Sequence, residues 1–171
     1  MDISKLDAAK RQLDTAVALY FRDGDVISMH TLAAAAHQVL MDLSKLEGIK
    51  SLVKETTLIR EERKKEYILK VNEAENFFKH ATTDRHKLLD FNPEVSEFLI
   101  FDAIGMYTQL THEITEDYSI FKAWFFVKYP SIISDETRKK LEEENINYID
   151  KFGMTNKADF YRTFKNALLM R

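Results

Sequence analysis

Residues 30–40 read HTLAAAAHQVL, with four consecutive alanines between His30 and His37. Alanine has the highest helix propensity, and its small side chain lets a second helix approach closely. The stretch therefore predicts a helix at a tight crossing, in a protein built from packed helices. Seven residues is two helical turns, so the two histidines share a face with Cα atoms about 10.5 Å apart. That is too far for both rings to reach one ion through bonds of about 2.1 Å. The plain expectation is that His30 and His37 line the edge of the buried stripe, hydrogen-bonded to neighbours. The alternative keeps both as ligand-binding residues completed by other helices.

Outward from this stretch the same pattern continues. Four glycines and two prolines punctuate 171 residues, and scarce breakers favour long helices. Leu6, Leu13, Val17, Tyr20 and Phe21 follow helical spacing over residues 3–22. "RDGD" (22–25) ends that helix, with Gly24 expected as its left-handed cap and Asp25 as the N-cap of the next. The second helix is expected over 26–46, buried along Leu32, Ala36, Val39, Leu43 and Leu46, and closed by Gly48. A third, after a break near Thr56 and Thr57, runs to about residue 80. "ATTDRHKLLDFNP" (81–93) is the longest irregular stretch. A fourth helix starts at Asn92 and Pro93, with proline at its first position, and reaches about residue 114. An aromatic fifth, "DYSIFKAWFFVKYP" (117–130), is followed by a charged sixth, "SDETRKKLEEENINYIDKFG" (134–153), and a short last one, "NKADFYRTFKNALLM" (156–170). The fold class is all-α: one domain, a bundle of six or seven helices.

Composition narrows the function. A chain of this length buries about 70% of its unfolded surface and needs no staple. With no cysteine, disulfides, thiolate catalysis and cysteine-held metals are excluded, which fits a reducing cytoplasm. The net charge of −3 gives no global attraction to nucleic acid or anionic membrane. The N-terminus is charged and amphipathic, not a signal peptide. "FLIF" and "WFFV" are far short of the ~20 apolar residues that span a bilayer.

Several site classes fail on spacing. A carboxylate-bridged metal centre needs Glu-x-x-His. The residues three before each histidine are Ile27, Ala34, Phe77, Thr83 and Gln109. The dispersed glycines cannot form a phosphate loop, and no serine sits in G-x-S-x-G. No metal and no cofactor are expected.

The richest polar run is "NFFKHATTDRHKLLD" (76–90). His80 with Asp84, and His86 with Asp90, are each four apart and suit acid–base work or metal ligation with an orienting partner. Lys79, Arg85 and Lys87 could hold a phosphate, and Phe77 and Phe78 could stack on bases. The competing reading is a helix C-terminus whose cations complement its dipole, then an exposed loop, with the phenylalanines in the core. On the aromatic helix, Phe121, Trp124, Phe125 and Lys128 share one side, read as core or as a partner surface. His112 and Glu116 make one further spaced pair.

"QLDTAVALYFRDGDVISMHTLAAAAHQVLMDL" (12–43) resembles the first helical hairpin of HEPN-type proteins, and "AENFFKHA" (74–81) resembles their later signature of asparagine followed by histidine. The resemblance spans about the first 90 residues. It implies a four-to-five-helix bundle, homodimerisation and, in many members, metal-independent RNA cleavage. The catalytic residues would then be Asn76 and His80, with Arg85 and His86 nearby. The family's arginine, four to six residues, then histidine is missing: Glu75 stands where the arginine would be, Arg22 precedes His30 by seven intervening residues, and Arg85 abuts His86. Without that arginine the charge of a pentavalent phosphate goes unstabilised. Three expectations follow: a non-catalytic, homodimeric, cytoplasmic binding protein that takes a nucleotide or RNA through Lys79, Asp84, Lys87, His30 or His37; a HEPN-type ribonuclease using His80 and nearby cations; or a metal-dependent hydrolase using His80, Asp84, His86 and Asp90.

Overall fold

Ser4 and Asp7 start the first helix with a reciprocal capping box: the Asp7 N–H donates to Ser4 Oγ (3.0 Å), and the Ser4 N–H donates to Asp7 Oδ2 (3.3 Å). The computed structural model describes residues 1–55, 61–81, 85–132 and 156–169, and among them there is no strand. Helices α1 (Lys5–Phe21), α2 (Val26–Leu46), α3 (Glu61–Lys79) and α4 (Glu94–Thr111) are followed by α5 (Glu116–Lys128), a 3-10 turn at Pro130–Ile132, and α6 (Lys157–Leu169). The protein is all-α. The charged stretch 134–153, Asp84 and the Thr56–Thr57 break lie outside the described residues. Among those described, no helix is long and apolar enough to cross a membrane.

The chain divides into two compact units, Met1–Glu113 and Ile114–Arg171. In the first, α2 is the central helix: α1, α4 and α3 all pack against it, and α1 also touches α4. Leu13, Val17, Tyr20 and Phe21 of α1 are buried. In the second, Tyr118, Ile120, Phe121 and Phe125 are buried on α5. Trp124 lies 5.2 Å from the Phe160 ring of α6, which stacks on Phe164 at 4.5 Å. Tyr161 and Lys165 donate to Asp117 at 2.9 and 2.7 Å and fix the register of that pair.

Three local expectations are corrected. The left-handed residue in the 22–25 turn is Asp23 (φ 51°), not Gly24. A Cβ at Gly24 would meet Leu19 Cδ2 at 2.6 Å, so a side chain there would require Leu19 to shift. Helix α4 begins at Glu94, with Pro93 as its cap residue and the Asn92 side chain accepting the Glu94 N–H, and it stops at Thr111 because His112 turns left-handed (φ 58°). The third correction is the face of α2. Of the stripe expected there only Ala36 is buried, and Leu46 is 81% exposed. The buried face carries His30, Ala33, Ala34, His37, Leu40, Met41 and Ser44. Alanine at 33, 34 and 36 lets the neighbouring helices in along this face, with Leu40 and Met41 packed at its end, while Leu32, Val39 and Leu43 lie half-buried at its flanks.

The end of α2 is a Schellman turn: Ile49 N–H donates to Ser44 O (2.9 Å) and Gly48 N–H to Lys45 O (3.4 Å), with Gly48 at φ 71°. Space around Gly48 is open, so only backbone strain opposes a side chain there. Gly48→Ala is expected to cost about 1–2 kcal/mol in urea unfolding, and Gly48→Asn distinctly less, because asparagine visits the left-handed region more readily.

Candidate functional site

Helix α2 presents two buried imidazoles, and α4 meets each with a polar group. His30 Nδ1 and Ser96 Oγ share a hydrogen bond of 3.0 Å. Two turns on, His37 Nε2–H donates to Asp102 Oδ2 at 2.8 Å. His30, His37 and Ser96 are wholly buried, and Asp102 is 1% exposed.

Asp102 does more than pair with His37. The segment 51–55 after α2 runs over it as a strap. Ser51 Oγ–H donates to Asp102 Oδ2 (2.6 Å), Leu52 N–H to Oδ1 (2.9 Å) and Val53 N–H to Oδ2 (3.1 Å). Ser51 Oγ in turn accepts the Lys54 N–H (2.8 Å), and the Ser51 N–H donates to Glu55 Oε2 (3.0 Å). Burial alone would raise the Asp102 carboxyl. The donors from His37, Ser51 and Leu52 outweigh it and hold the group below the usual carboxylate range. Further along the strap, the Lys54 ammonium reaches Gln38 Oε1 (3.3 Å) and Glu75 Oε2 (3.5 Å), so the strap joins α2, α4 and α3.

Serine, histidine and aspartate meet here, but not as a nucleophilic triad. The aspartate stands between the other two: Ser51 gives its proton to Asp102, and its oxygen is 3.4 Å from His37 Nε2. A hydrolytic serine needs a histidine base on its hydroxyl and access to substrate. Ser51 has no such base and is 1% exposed.

His30 is closed over by rings. Phe78 of α3 and Phe91 lie edge-on to it at 5.6 and 5.1 Å, and edge-on to each other at 5.2 Å. Its Nε2 has no hydrogen-bond partner. Burial pushes the imidazole down to about 4; Glu75 opposes this shift, while Lys54 and Lys79 add to it. Phe78 is thus packing, not a stacking platform for bases.

Among the described residues of the 76–90 run, only Leu89 and Asp90 line a cleft, and Asn76, His80, Arg85 and His86 do not. Asn76 is exposed on α3, and its carbonyl accepts the His80 N–H (3.0 Å). His80, Arg85 and His86 are exposed, and no hydrogen bond or ion pair joins them to one another. Lys79 pairs with Glu75 (2.6 Å) and Lys87 with Glu73 (3.3 Å), so each cation already faces a carboxylate. Glu75 is held below its usual range by Lys79 and Lys54 despite burial. Asp84 lies outside the described residues, and among those described no three potential ligands come close enough to hold a metal ion.

Ser51, Ser96 and Asp102 are the polar residues that sequence reasoning missed. A signal existed for one of them: Asp102 interrupts the apolar run "FLIFDAIGM" (98–106), and a carboxylate among core residues needs a buried partner.

An open cleft lies on the other side of Phe91, with a volume of about 330 Å³. Tyr67, Val71 and Ala74 of α3 form one wall, and Leu89, Phe91 and Val95 the other. Set against known proteins, the chain matches no family model, no curated protein and no solved structure.

Proposed function

We propose that the chain is a non-catalytic helical binding module whose binding surface is the cleft between α3 and residues 89–95. One contrast carries this reading. The polar groups that the first unit brings together are sealed and mutually engaged, His37 with Asp102 and Ser51, His30 with Ser96 beneath two phenyl rings, while the exposed His80, Arg85 and His86 are joined to one another by no hydrogen bond or ion pair. The apolar cleft beside the sealed groups is open. General acid–base or nucleophilic catalysis requires groups that reach a substrate. Ion pairing of Lys79 and Lys87 weakens the case for a phosphate-bearing ligand such as RNA or a nucleotide. A homodimer belongs to this reading as an expectation, read by sedimentation equilibrium. A cytoplasmic location fits the absence of cysteine.

The test is incubation of the purified chain and its His80→Ala variant with labelled mixed-sequence RNA, in EDTA and in divalent metal. No cleavage in any arm is expected. Cleavage in EDTA that His80→Ala abolishes would replace the binding reading with the HEPN-type ribonuclease. Cleavage only with metal would replace it with a hydrolase built on His80, Asp84, His86 and Asp90.

A further inference from the structure

We infer that the cleft between α3 and residues 89–95 takes an uncharged, largely aromatic small molecule bearing a hydrogen-bond acceptor, an inference that rests on the binding-module reading. The apolar walls come first. Tyr67, Val71 and Ala74 recur at one helical spacing, and Leu89, Phe91 and Val95 face them. The volume of about 330 Å³ sits at the small end of ligand sites, roughly 300–1,000 Å³, and suits a compact ring system. Tyr67 and Phe91 are half-buried and supply aromatic surface. One edge of Phe91 is fixed by His30 and Phe78, so that wall is held in place before any ligand arrives.

Charge selects next. Lys70 pairs with Glu73 at 3.0 Å, and Glu73 also holds Lys87 at 3.3 Å. Asp90 is the further charged group in the lining. The lining itself holds one cation, Lys70, and two anions, Glu73 and Asp90; Lys87, just outside the lining, offsets one of them through its pair with Glu73, so a charged ligand gains no net attraction and still loses its hydration. The polar groups that remain favour an acceptor. The Asn92 carbonyl already takes the Glu94 N–H, which leaves its amide N–H groups to donate. Burial, with the Asp102 charge adding to it, raises Tyr67, so its hydroxyl keeps its proton and can donate as well.

Three probes with one ring system isolate these requirements: 1-acetonaphthone (neutral, carbonyl acceptor), 1-naphthoate (anion) and 1-naphthylmethylammonium (cation). Each is titrated into the full chain with methyl NMR detection at Val71, Leu89 and Val95. The ketone is expected to give saturable shifts confined to these methyls, and to bind at least tenfold tighter than either ion. Val71→Trp fills the cleft and should abolish them. If it lowers the melting temperature, Val95→Gln, which makes the opposite wall polar, takes its place. Tighter binding of either ion, shifts scattered over the surface, or ketone binding untouched by cleft substitutions would overturn the inference. RNA cleavage would sink the binding-module reading, whereas preference for a charged probe within the cleft sinks only the ligand class.

Discussion

Asp102→Ala lowers the stability of the fold by about 3–5 kcal/mol, the cost of removing one partner from a buried ionic network. Four donors lose their acceptor at once: His37 Nε2–H, Ser51 Oγ–H and the N–H groups of Leu52 and Val53. Each stranded buried donor costs on the order of 1–3 kcal/mol, reduced where water can enter. Urea unfolding by far-UV circular dichroism reads the effect. Asp102→Asn should fall between wild type and alanine, because one amide oxygen can serve the three donors at Oδ2 while its NH2 faces the Leu52 N–H. The double variant His37→Leu with Asp102→Leu separates the two jobs of the carboxylate. It restores the share owed to His37 and leaves the strap amides stranded. Full recovery in that variant would mean that the strap contributes nothing.

Acidification gives the second large effect, and His30 is its source. In the folded chain its imidazole sits at about 4, against an ordinary value of 6.5. The unfolded chain therefore binds the proton more readily, and stability rises with pH across this window. On lowering the pH, the loss sets in as 6.5 is passed and is complete below about 4. The gap between the two values corresponds to about 3 kcal/mol. Asp102, held below its usual range, acts in the same sense at still lower pH, where its protonation removes a further contribution. Urea midpoints measured from pH 7 to pH 4 should fall steadily in the wild type, and the slope should flatten in His30→Gln, which keeps a polar group for Ser96 but does not titrate. An unchanged slope in that variant would place the acid sensitivity elsewhere.

Local chemistry was legible in the sequence. The bounds of α2, its Asp25 cap and its Gly48 terminator follow from residues within one turn of each end, where capping is decided. That the two histidines would be hydrogen-bonded was legible too, because a polar group beside an alanine-rich face has to find a partner; that they sit within the buried face and not at its edge was not. Which face of α2 is buried was not. Ranking residues by hydrophobicity favours Leu32, Val39 and Leu43, while the closeness of the neighbouring helices favours alanine. The partners of the histidines were hidden for another reason: His30 meets Ser96 across 66 residues and His37 meets Asp102 across 65. No local periodicity encodes such pairings. In the 76–90 run, density of polar residues along the chain drew attention to His80, Arg85 and His86, which the fold leaves exposed, as the reading of a helix end followed by a loop expects.

The strap over Asp102 also bears on the order in which the chain assembles. Helices α1 and α2 are neighbours in sequence and can meet early, but the N–H groups of Leu52 and Val53 find their acceptor only once α4, about 50 residues later, has docked. Those two amides belong to an irregular segment with no ladder of their own. Their rate of exchange with deuterated solvent would follow the opening of α4, not the fraying of a loop. Two protons in a non-helical turn become a clock for the arrival of a distant helix, readable in pulse-labelling during refolding as protection that appears together with the core of α4.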